Sequence, residues 1–231
     1  MKLPLLDRIE RKIGRYAPRR LMTVIVICTA LVWLLETIVA QRSGVYISTW
    51  LYFDKTAILK GEIWRVFSFL FIPDSSSLFM LAISLYFYWW IGSSLENVWG
   101  SFRFDAYYLC GVLGAIASGF ITGYATNEYL NMSMFLAFAI LFPDERVYIF
   151  FLIPVKMKWL GIIDAALIVL LLVNAVSFGA WTVVIAIVLS LFNLLVFVWR
   201  IPIDKFKAWR RRRQWKKATR RPNDNDYPFD L

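Results

Sequence analysis

The 231-residue chain contains no histidine, only two cysteines, and charged side chains at just 18% of its positions. Without an imidazole there is no base that titrates near neutral pH, which removes the usual partner of a serine nucleophile. Cys28 and Cys110 both fall in apolar segments, so neither a disulfide framework nor a metal site is expected, and both read as packing residues. Nothing points to a cofactor. The scarcity of charge beside 60% hydrophobic and 18% aromatic content leaves too little polar surface for a hydrated globule. Such a chain belongs in a bilayer. No cleavable leader is expected either: the first apolar run is as long as a full span, and Ile38 is bulky where cleavage at Ala40 would want a small residue.

The 26 basic residues are unevenly placed, with seven in residues 1–20, eleven in 200–231 and eight between. Beside long apolar segments, these terminal blocks read as orientation signals and lipid contacts, not as a nucleic-acid surface. Residues 1–20 alternate Leu5, Leu6, Ile9 and Ile13 with Arg8, Arg11, Lys12 and Arg15, the pattern of a basic amphipathic helix lying on headgroups. Residues 21–40 supply a first span of about 30 Å. Glu36, near its end, is expected to reach the interface or a loop amide. Residues 41–77 form an aromatic, interface-embedded connection. Spans follow at 78–95 and 104–122. Next comes a helix at 131–142 that covers only about 18 Å and needs a submerged loop or a water cavity to complete its depth. Pro154, Lys156, Lys158 and Trp159 mark an interfacial turn, and spans at about 159–176 and 181–199 complete the set. Asp164, about a turn inside the fifth span, is expected to snorkel or cap. The tail of residues 201–231, with WRRRRQWKK at its centre, is a juxtamembrane block suited to anionic headgroups.

Six spans place both termini on one side, where twenty-two of the 26 basic residues then lie, against Arg42, Lys55, Lys60 and Arg65 on the other. The positive-inside rule makes the first side cytoplasmic. The fold class expected is all-α: a polytopic six-helix bundle spanning 21–200 with a short fourth helix. In the IGSSLENVWG stretch, Gly92, Glu96 and Gly100 recur four residues apart. A helix stacks them on one face, with the glycines against neighbouring backbone and the carboxylate accepting hydrogen bonds at the turn. The small-residue run Gly111, Gly114, Ala115, Ser118 and Gly119 suits the third span to the centre of the bundle.

Trp64-Arg65 in the first outer loop, the Gly92, Glu96 and Gly100 series at the second-to-third turn, and the short fourth helix occur in an order that resembles the rhomboid superfamily of intramembrane serine proteases. The resemblance implies a serine at the start of the fourth helix within Gly-x-Ser-Gly, paired with a histidine of the sixth span. Here that stretch is Asn131-Met132-Ser133-Met134, the positions matching the family's oxyanion helpers are approximately Met80 and Ser84, and the sixth span offers Ser190 and Asn193 but no base. No lysine lies in any span. Ser133 is therefore the only candidate nucleophile, and it reads chiefly as a packing or capping hydroxyl. The resemblance implies a catalytically inactive member, comparable to rhomboid pseudoproteases and Derlins, that binds or routes transmembrane clients in a bacterial cell membrane. The alternative is an intramembrane protease with an unconventional dyad using Ser133. A transporter or channel would call for paired intramembrane charges or a repeat that the chain lacks.

Overall fold

The computed structural model describes residues 20–149 and 153–198, together with Glu10, Lys12, Gly14, Ala17 and Pro18. Most of the expected amphipathic helix of residues 1–20, and all of the basic tail of 201–231, lie outside the described residues. Helices occupy each of the six apolar stretches: α1 (Leu21–Ser43), α5 (Leu78–Trp99), α6 (Ser101–Thr122), α7 (Glu128–Leu141), α8 (Met157–Ser177) and α9 (Trp181–Val198). Four of these, α1, α5, α6 and α8, are long and apolar enough to cross a membrane. The 14 residues of α7 rise only about 21 Å, short of a hydrocarbon core.

The connection after α1 is more ordered than a loop. It contains α2 (Ser48–Leu51), α3 (Lys55–Leu59), α4 (Arg65–Ser68) and a 3-10 turn over Phe69–Phe71. Asp54 starts α3 by accepting from the Thr56 amide at 2.8 Å and the Thr56 hydroxyl at 2.6 Å. Arg65 ties the segment together: its guanidinium donates to the Thr49 carbonyl at 2.9 Å, the Tyr52 carbonyl at 3.1 Å and the Glu62 carboxylate. Trp64 adds an indole bond to the Trp50 carbonyl at 3.2 Å. The Trp-Arg pair is thus a knot that fixes the backbone carbonyls of a compact turn. Phe53, buried, plugs the knotted segment onto α6, its ring edge-on to Phe69 and Phe120. Gly119 makes room for it, since a Cβ there would stand 2.6 Å from the Phe53 ring.

Helix α6 is the centre of the bundle, with half of its most apolar window buried against 11–22% for α1, α5 and α8. It packs most extensively on α9, which also meets α7, while α7 packs on both α5 and α8. Small residues set these approaches. A Cβ on Gly111 would lie 2.3 Å from Leu130 and 2.6 Å from Asn193, and one on Gly161 would lie 2.5 Å from Ala139.

Between α7 and α8, where the sequence predicts a turn, the chain makes an antiparallel hairpin of β1 (Arg146–Ile149) and β2 (Ile153–Lys156), with Arg146 opposite Lys156. The Met157 amide then bonds the Glu145 carbonyl at 2.8 Å, so the hairpin leads α8 directly back against the end of α7.

Candidate functional site

The Gly92, Glu96 and Gly100 series performs three separate tasks. Gly92 faces the Met22 side chain, not backbone as expected: a Cβ there would lie 1.9 Å from Met22 Cγ. Glu96 accepts from the Ser101 hydroxyl at 2.6 Å and from the Arg20 amide at 3.0 Å. Its carboxylate therefore caps the turn and holds Arg20, a non-glycine residue at φ +65°, at the start of α1. Among the described residues a Cβ on Gly100 would meet nothing within 4 Å, which corrects the expectation of close packing; its contribution is a φ of +84° that ends α5 and begins α6.

Ser133 lies on α7 with none of its surface exposed, between Tyr107 of α6 and Asn193 of α9, which are equally enclosed. Its hydroxyl donates to the Leu130 carbonyl at 2.9 Å. That commits its single proton, so at 2.9 Å the Tyr107 hydroxyl must be the donor to Ser133 Oγ. The Asn193 amide donates to the same oxygen at 3.1 Å and to the Tyr107 carbonyl at 3.4 Å. With its one proton given and two donors on its lone pairs, the hydroxyl has, among the described residues, only the Leu130 carbonyl, the Tyr107 hydroxyl and the Asn193 amide as partners. The arrangement is a closed hydrogen-bonded clasp joining three helices. Neither expected oxyanion helper takes part. Met80 is exposed on α5, and the Ser84 hydroxyl turns back to the Leu81 carbonyl at 3.0 Å. The side chain of Ser190 lies outside what the structure describes.

A second polar feature stands beside this clasp. A cavity of about 620 Å³ opens between α5 and α8 over α7, lined among others by Asp74, Tyr88, Asn127, Glu128, Asn131 and Asp164. Asp164 is the eighth residue of α8, too far along to cap it. Among the described residues its Oδ2 is buried with no hydrogen-bond partner, so the expected snorkelling or capping role is replaced by a place in the cavity wall. Asn131, expected at the motif, lines this cavity and not the Ser133 clasp. Glu36 meets a hydroxyl instead of an amide, accepting from Ser48 at 2.8 Å while its other oxygen is buried without a partner among the described residues. Among the described residues, no group of three or more His, Cys, Asp and Glu side chains could hold a metal ion.

The apolar helices and their packing decide the class. This is a multi-pass membrane protein. No protein-family model matches the chain, and no solved structure does. Among curated proteins it is similar to one of the subunits of the NADH-quinone oxidoreductase of Buchnera aphidicola subsp. Baizongia pistaciae (strain Bp), at 25% identity over 128 residues, covering 54% of this chain and 85% of that protein.

Tyr107 is the participant that sequence reasoning missed. It sits in an apolar span as one aromatic among many, and its partner is 26 residues away. The signal that could have found it is the combination of Gly111 one turn later, which admits Asn193, with the amide of Asn193 in a largely apolar α9.

Proposed function

We propose that the chain is a non-catalytic, rhomboid-like membrane protein with six membrane-embedded helices, which binds or routes other membrane proteins. The observation that carries this reading is the state of Ser133: at the place where a proton acceptor would be needed, Asn193 supplies a donor. Attack on an amide requires a base, a site for the developing oxyanion and water to release the acyl group, and each loss costs orders of magnitude in rate. Here the base is absent, and the hydroxyl has no exposed surface for substrate or water to reach. The short α7 and the knotted Trp64-Arg65 segment support the scaffold comparison.

The purified protein in bilayers should leave transmembrane substrates intact and should not be labelled at Ser133 by fluorophosphonates. Cleavage that disappears in Ser133→Ala would establish the alternative, a protease with an unconventional dyad. The orientation proposed places both termini in the cytoplasm, with the basic tail on anionic headgroups. Leu5→Cys and Asn225→Cys in a background free of Cys28 and Cys110 should resist impermeant labels in intact cells. Outside labelling of either would reverse the topology. The curated relative supports a second reading, membership of a multi-protein membrane complex. Stoichiometric partners retained through mild-detergent purification would favour it.

A further inference from the structure

Three carboxylates, Asp74, Glu128 and Asp164, line the cavity between α5 and α8, and among the described residues no lysine or arginine lines it. They are spread in depth. Asp74 precedes α5 and Glu128 opens α7, whereas Asp164 shares the cavity wall with Phe135, midway along α7. Asp164 is the eighth residue of α8, so at 1.5 Å per residue it lies about 10 Å along that helix from Met157. Most of the residues flanking it on α8 (Ile162, Ile163 and Leu167) are exposed apolar side chains facing the surroundings of the bundle. An unpartnered carboxylate oxygen in such surroundings is unfavourable unless a cation or donor arrives from outside the chain.

We infer that this cleft receives a transmembrane segment carrying a lysine or arginine in the middle of its apolar run, paired with Asp164. The inference rests on the client-binding reading above and gives that client a chemical signature. Depth argues for a helix over a lipid, because an amine headgroup stays at the interface while Asp164 lies about 10 Å along α8 from its first residue. A small cation would reach one carboxylate; an elongated segment can place a basic residue at Asp164 and polar groups beside Asp74 and Glu128. Helices α5 and α8 both pack on the short α7, and the cavity opens between them.

The test uses the full chain in nanodiscs and leucine-alanine single-span peptides that differ at one central position: lysine, leucine or glutamate. Binding is read by photocrosslinking and titration. The lysine peptide should bind about tenfold tighter than the leucine peptide, the scale of an interhelical polar contact in a membrane. Glutamate should bind weakest. In Asp164→Asn, which preserves shape, the lysine advantage should vanish, and in Asp164→Lys the glutamate peptide should become the preferred one. If the lysine and leucine peptides bind alike, the charge pairing is wrong while client binding stands. If the lysine advantage persists in Asp164→Asn, the pairing lies elsewhere and the inference falls. If no peptide binds, the client-binding reading falls with it.

Discussion

Two polar features lie side by side in the membrane-embedded part of this protein, and they are opposites. Around Ser133, each donor has an acceptor and no surface is exposed. At Asp164, one carboxylate oxygen is buried without a hydrogen-bond partner among the described residues. In a medium with no water to compensate, a closed network stabilises the packing of the helices that contribute to it, whereas an open polar group opposes folding. The first is therefore architecture, and the second is an invitation to something outside the chain. The difference follows from neighbours more than residue type: Gly111 lets Asn193 approach Ser133, while among the described residues no comparable donor reaches the buried oxygen of Asp164.

The comparison can be broken by substitution. The largest effect belongs to the close contact between α1 and α5. Gly92→Leu forces a side chain into Met22 and should lower stability by about 3 kcal/mol, read as thermal aggregation in detergent, with partial recovery in the double variant Gly92→Leu, Met22→Ala. Heat resistance equal to the parent would refute the close contact. Asn193→Leu opens the clasp and should cost about 1–2 kcal/mol, since Ser133 and Tyr107 lose the same donor group. Asn193→His restores an imidazole to the chain but should give no peptidase activity, because Ser133 remains sealed from substrate. Asp164→Leu should go the other way and raise stability by about 1 kcal/mol. If Asn193→Leu and Asp164→Leu shift stability in the same direction, the contrast between closed and open regions is mistaken.

The smallest effect concerns the segment between α1 and α5. The Thr56 hydroxyl and amide hold the Asp54 carboxyl below its ordinary value of 3.8. A depressed carboxylate adds stability above the unfolded value and loses it as pH falls through the folded one. Parent and Asp54→Asn should therefore differ slightly near neutrality and converge well below pH 3.8, a comparison readable by amide exchange at α3.

Most helix positions were legible in the sequence because a bilayer demands long apolar runs, and such runs are local. The expected spans at 78–95 and 104–122 became Leu78–Trp99 and Ser101–Thr122, lengthened until Gly100 and Gly123 supplied positive φ. Arg65 and Glu96 were found as motif members, but what they hold, carbonyls in one case and a distant amide in the other, is a product of folding. The hairpin of β1 and β2 was missed because four-residue strands carry almost no periodicity. The cavity was invisible for a different reason: its wall draws on four separate segments, and Asp164 read alone looks like any carboxylate near a helix end.

The bond from the Arg20 amide to Glu96 spans 76 residues of sequence. During synthesis at the ribosome, the first helix would enter the membrane with its first residues still unfastened, and at ordinary elongation rates about 4–15 s would pass before its latch was made. For that interval the nascent segment is free to rotate, tilt or be engaged by insertion machinery. Emergence of the second-to-third turn is then the moment at which the opening helix stops being a passenger and becomes part of the assembly.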